Sequence, residues 1–167
     1  MTRSILAAAC FVTAIGSLAL ADDKKKDDKE EKQSGPVKWS ATIEPKAVKP
    51  GGEVTLRIKG EIEEGWHIYA VNKPTGLSRK TSLKLTVADK LKADKDWKIP
   101  DPVKDEKADE ETFKYEGDVV FSRKLKVAES AEGALEAATT VEFMACNAET
   151  CLSPKKVTVK ASLKVEK

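Results

Sequence analysis

Cys146 and Cys151 are the residues in this chain best suited to covalent chemistry. They stand at the two ends of a short polar loop, Asn147-Ala148-Glu149-Thr150. The alternating runs Val141-Glu142-Phe143-Met144-Ala145 and Val157-Thr158-Val159 lie on either side. Two thiols at C-x4-C spacing can close as a staple, exchange with a partner's thiols, or help to hold a metal. The spacing is not the C-x-x-C of a thioredoxin-like site, where a helix N-terminus stabilises the thiolate. No helical pattern follows Cys146, so nothing in the sequence activates either thiol on its own. Exchange stays open nonetheless, because an attacked disulfide needs only access and a reasonable leaving group. As a staple, a closed loop this small is worth about 2 kcal/mol, and a domain of this length already buries a workable core. Residue chemistry alone leaves exchange and staple level.

The metal reading falls short. His67, the only histidine, would join Cys146 and Cys151 as a third ligand, whereas zinc sites normally use four ligands, or three and a water, and set a second ligand pair beside a C-x2-4-C pair. His67 instead sits between Trp66 and Ile68 in a strand pattern, where a packed or half-exposed imidazole is the plain expectation. No serine has a nucleophile-elbow context and no glycine-rich loop leads into a helix to cradle phosphate.

The compartment bears on the cysteines. Arg3, the mostly apolar run Ile5 to Leu20 and the small-x-small Ala19-Leu20-Ala21 have the form of a signal peptide over residues 1–21. A membrane anchor would need a longer span and a stop-transfer flank. The third cysteine, Cys10, lies inside this leader and is expected to leave with it. The other two then form the single possible intramolecular pair in an oxidising compartment, periplasmic or extracellular, where disulfides persist. The charges nearly cancel, with 30 Lys+Arg against 28 Asp+Glu over 167 residues. No basic face with stacking aromatics suggests nucleic acid, and no strongly amphipathic stretch suggests a membrane-surface helix.

The elements that must position the cysteines follow a period of two. Residues 22–36 come first, a run of Asp, Lys and Glu ending at Gly35-Pro36, which reads as a disordered linker because it has too little apolar surface to offset the entropy of ordering. The folded domain is then 37–167. Val37, Trp39, Ala41 and Ile43 alternate with polar residues, as do Val54, Leu56 and Ile58 after the turn signal Lys49-Pro50-Gly51-Gly52. Trp66 to Val71 is an aromatic strand, followed by strands at Leu83–Val87, Trp97–Ile99 and Val119–Val127. Ser130 to Ala138, rich in Ala and Glu, reads as a connection or a single helical turn. Val141–Ala145 leads into the cysteine loop and Val157–Val165 leaves it. About seven or eight short strands with Pro/Gly punctuation argue for an all-β, antiparallel β-sandwich.

Four blocks resemble a known family. Glu64-Gly65-Trp66-His67-Ile68-Tyr69, Ile99-Pro100-Asp101-Pro102, Tyr115-Glu116-Gly117-Asp118-Val119-Val120-Phe121 and Met144-Ala145-Cys146, followed after four residues by Cys151-Leu152-Ser153-Pro154, occur in the order seen in the N-terminal periplasmic domain of the thiol:disulfide interchange protein DsbD. The resemblance spans roughly Val37 to Val165. It implies an immunoglobulin-like sandwich whose cysteines pass electrons to or from thioredoxin-like exported or membrane-tethered proteins; such a module is expected to need no cofactor and to be a monomer. It also implies that Cys151 forms the mixed disulfide and Cys146 resolves it. The family's cap loop matches Thr112 to Glu116, so Phe113 or Tyr115 would shield the sulfurs, with Tyr69 close by; for Trp66 plain core packing is the expectation. Longer family members continue into a membrane conduit and a thioredoxin-like domain, so a separate protein is expected to supply electrons here. The alternative is a non-catalytic β-sandwich binding or scaffold domain with a structural disulfide.

Overall fold

The computed structural model of the protein describes Gln33 and residues 35–166. The expected signal peptide (1–21) and all but the end of the expected linker (22–36) lie outside the described residues. Of that end, the Gln33 side chain pairs with both backbone groups of Trp39. Pro36 is buried, and its carbonyl accepts a hydrogen bond from Glu63 N at 2.8 Å.

Twelve strands and, among the described residues, no helix make up the fold: β1 (Val37–Glu44), β2 (Ala47–Val48), β3 (Glu53–Ile62), β4 (His67–Tyr69), β5 (Ser82–Val87), β6 (Leu91–Ala93), β7 (Val103–Lys104), β8 (Phe113–Tyr115), β9 (Asp118–Val127), β10 (Gly133–Phe143), β11 (Ala145–Cys146) and β12 (Lys155–Val165). They form two four-stranded sheets, β1-β3-β9-β6 and β2-β12-β10-β5, and a smaller third sheet, β11-β4-β8-β7. Pairing is antiparallel except where β2 runs parallel to β12. The domain is an all-β, immunoglobulin-like sandwich.

Alternation places the core. On β3, Val54, Leu56 and Ile58 are buried and Glu53, Arg57 and Glu61 are exposed, as a strand with one covered face requires. On β10, Leu135, Ala137, Thr139, Val141 and Phe143 face inward in the same way. Trp39 joins the two main sheets. Its ring lies 6.3 Å from that of Phe121 on β9 and 5.4 Å from that of Phe143 on β10. Gly60, opposite Trp39 in the β1–β3 ladder, makes room for the indole: a Cβ there would come within 2.8 Å of Trp39 Cζ3.

Two local expectations need correction. Gly133 to Ala138 is neither a connection nor a helical turn but the first half of β10. The helix preference of Ala and Glu is overridden because Leu135 and Ala137 complete an inward-facing row paired with Leu163 and Ala161. Trp97 to Ile99 does not form a strand of its own. Lys98 exchanges two backbone bonds with Ser122 as an isolated bridge, and the prolines at 100 and 102 prevent the pairing from extending.

Candidate functional site

The cysteine loop is a tight hairpin. Asn147 N donates to the Thr150 carbonyl, and Leu152 N donates to the Ala145 carbonyl, each at 2.9 Å. Between these bonds Cys146 and Cys151 face each other as a cross-strand pair without mutual backbone bonds, the closer of the two antiparallel arrangements. Their Cα atoms are 4.0 Å apart and their sulfurs form a disulfide. Asn147 shapes the turn, with its Oδ1 accepting from Glu149 N at 2.9 Å and Thr150 N at 2.8 Å. An asparagine directly after the first cysteine is a sequence signal for such a side-chain-closed turn.

The two sulfurs have unlike surroundings. Cys146 ends β11, inside the third sheet, and is only 1% exposed. Cys151 is exposed on the outer arm of the hairpin. Leu152, the next residue, is half-buried beside Pro36, Val37, Phe143 and Ala145, and anchors that arm. Of the two cysteines, Cys151 is therefore the one open to solvent.

The third sheet sets Cys146 beside titratable groups. A turn closed by Trp66 N donating to the Glu63 carbonyl starts β4; Gly65 sits at its third position with φ of +80°, which favours glycine. Strand β4 then pairs His67 with Cys146 and Ile68 with Ala145. On its other side Ile68 pairs with Tyr115 and Tyr69 with Lys114. Directly opposed residues share a face, so Cys151, Cys146 and His67 form one row across the sheet, with Tyr69 and Lys114 in the next. His67 Nε2 lies 3.5 Å from the Tyr69 hydroxyl, and the two rings meet edge-on at 5.3 Å.

Lys114 holds this face together electrostatically. Its ammonium is 3.0 Å from Glu116 and 3.3 Å from Asp105, and its side chain is largely buried. Burial works against the charged form, but the two carboxylates outweigh it and hold the ammonium above its ordinary range. Asp105 is likewise raised by burial, yet the Lys107 amide and Lys114 bring it below the usual carboxylate range. His67 is pushed down from 6.5, first by burial and then by the Lys114 charge, against the opposing pull of Asp105 and Glu116. At neutral pH the imidazole is neutral.

The expected cap aromatics separate. Tyr69 is buried on the face of Cys146 and His67. Tyr115 alternates to the opposite face and belongs to the core: its ring packs edge-on at 5.6 Å from Phe121, and its hydroxyl donates to the Pro100 carbonyl at 3.3 Å. Phe113 shares that parity but is half-buried, with the Lys73 ammonium 5.9 Å from its ring. Trp66 packs, partly buried, against the core. Lys114, Asp105 and Glu116 were not singled out by sequence reasoning. Their only sequence signal is a lysine between Phe113 and Tyr115, which is weak without the ladder. Among the described residues, no group of three or more His, Cys, Asp and Glu side chains is placed to hold a metal ion.

Comparison with known proteins fits this geometry. The family model described as "Thiol:disulfide interchange protein DsbD, N-terminal" matches residues 33–163. Among solved structures, the N-terminal periplasmic domain of ScsB from Proteus mirabilis is similar at 19% identity and a TM-score of 0.46, over 73% of this chain and 44% of that one. The Neisseria meningitidis DsbD N-terminal domain in the reduced form is similar at 11% identity and a TM-score of 0.42, over 66% of this chain and 82% of that one. This chain thus spans less than half of the ScsB domain structure and most of the DsbD one. A search of curated proteins finds no match.

Proposed function

This chain belongs to the family of DsbD N-terminal domains, and from that premise we propose that it is a thiol–disulfide interchange module. The Cys146–Cys151 pair cycles between disulfide and dithiol, exchanging electrons with thioredoxin-like proteins outside the cytoplasm, and the leader exports the chain to the periplasm. The observation that carries the reading is the asymmetry of the pair, with Cys151 exposed and Cys146 1% exposed. In one direction a partner thiolate attacks the Cys151 sulfur and the Cys146 thiolate leaves. In the other, the Cys151 thiolate opens a partner's disulfide, and Cys146 then displaces the partner from the mixed disulfide. Tyr69, on the Cys146 face, is the aromatic proposed to shield the sulfurs. Phe113 and Tyr115, expected in the same role, lie on the opposite face of the third sheet.

The test is to trap the intermediate. In Cys146→Ser the resolving sulfur is gone, so adducts with co-expressed exported thioredoxin-like proteins should accumulate on non-reducing gels and vanish on reduction. A Cys146→Ser protein that forms no more adduct than the double-cysteine variant would overturn the reading.

A further inference from the structure

Resting on that exchange reading, we infer that His67 is the proton acceptor and donor for the Cys146 sulfur. Cys146 must pass through a thiolate in either direction of exchange, yet it is 1% exposed and water does not solvate it. A buried thiolate needs a helix terminus, a cation or a proton partner. The described residues contain no helix. The nearest cation named on this face, Lys114, lies one row further along and is already held by Asp105 and Glu116. His67 stands directly opposite Cys146 in the ladder on the same face, at the roughly 4.5–5.5 Å between Cβ atoms usual for such pairs.

The groups facing His67 suit it to the task. Tyr69 on its own strand steadies the ring through the 3.5 Å contact. From β8 and the loops on either side of it come Lys114, Glu116 and Asp105, and their net effect, with burial, keeps the imidazole neutral at neutral pH. A neutral imidazole can accept a proton, and Cys146 across the ladder has one to give.

The step balances. In the mixed disulfide, Cys151 is bonded to the partner sulfur and Cys146 is a thiol. Its proton passes to the imidazole, and the freed sulfur electron pair forms the bond to Cys151. The partner's sulfur leaves with the electron pair of the broken bond and takes up a proton. The domain is then oxidised to the disulfide and the partner reduced to the thiol. In the reverse direction the neutral imidazole first takes up a proton from solvent and, as imidazolium, gives it to the leaving Cys146 thiolate.

The two steps can be watched separately with 5,5′-dithiobis(2-nitrobenzoate). The exposed Cys151 of the reduced protein releases one thionitrobenzoate in a second-order phase. Cys146 then displaces the second in a phase independent of reagent concentration. With His67 as acceptor, the second phase in the wild-type protein should be nearly level between about pH 6.5 and 8. In His67→Gln it should be slower by about a hundredfold at neutral pH and rise about tenfold per pH unit, as free thiolate formation requires. The first phase, at the exposed sulfur, serves as the internal control. Second-phase profiles that superimpose for the two proteins would overturn the inference while leaving the exchange reading intact. If the wild-type protein has no second phase, the exchange reading falls and this inference falls with it. Should His67→Gln not fold, the wild-type profile decides: a rise of about tenfold per unit across that range would refute the proton acceptor.

Discussion

Reducing the Cys146–Cys151 bond should leave the domain folded and only modestly less stable. The bond closes a loop with a sequence separation of five, and the chain-entropy relation gives about 2 kcal/mol for a ring of that size. Even this is an upper figure, because the hairpin has other closures. Two backbone bonds flank the pair, and Asn147 Oδ1 accepts two more across the turn, so the reduced loop keeps its shape. Cys146 keeps its packing against the third sheet whether or not its sulfur is bonded. For a domain of this size about 2 kcal/mol corresponds to a fall in melting temperature of about 6–10 °C. The assay is a thermal melt followed by circular dichroism, with and without dithiothreitol, and with free thiols counted to verify reduction. A reduced protein that is unfolded at room temperature, or that melts more than about 20 °C lower, would refute the reasoning. The bond would then be a staple, and no dithiol form could persist long enough to meet a partner.

Three further outcomes follow from the same geometry. His67 is held below 6.5 in the folded state, so on acidification the unfolded chain takes up its proton first. Its penalty is absent above about pH 6.5 and grows as the pH falls toward the folded value; His67→Gln should therefore flatten the melting-temperature profile between about pH 7 and 5. Replacing Lys114 by Gln removes the cation that disfavours the imidazolium and leaves Asp105 and Glu116 in place. The titration of the single histidine, followed by NMR, should move upward, and a downward movement would contradict the assigned electrostatics. Gly60→Ala should cost about 1–3 kcal/mol in chemical denaturation, because the added methyl would meet the Trp39 ring at 2.8 Å and Val119 at 3.1 Å; an unchanged midpoint would mean that the indole can move aside.

Much of the architecture was legible because a half-buried strand writes its period directly into the sequence. Val54-Thr55-Leu56-Arg57-Ile58 could only cover one face as a strand, and β3 does so. The same local logic misread Ser130 to Ala138, where alanine and glutamate carry a helical preference that pairing with β12 overrules. It overread Trp97 to Ile99, where apolar residues dock at a sheet edge by one bridge without building a ladder. Phe113 and Tyr115 are two residues apart and share parity, yet one is half-exposed and the other lies in the core. Only the position of Phe121 and Pro100 separates their fates.

For the site itself, sequence determined the reagents: the cysteine pair at 146 and 151, an asparagine that closes the turn between them, and alternating flanks that make the turn a hairpin. These are local properties, carried by neighbours in the chain. Which sulfur is buried, and which groups stand beside it, was decided by the tertiary structure. Strand β11 pairs with β4 across a long stretch of intervening chain, and that register alone sets His67 opposite Cys146 with Lys114 one row away. Slipping the register by one residue would place Ile68 there instead, because side chains alternate faces. Such a pairing is fixed by packing the third sheet's apolar side, Ile68, Ala145 and Tyr115, against the sandwich core, and no local pattern around the cysteines records it.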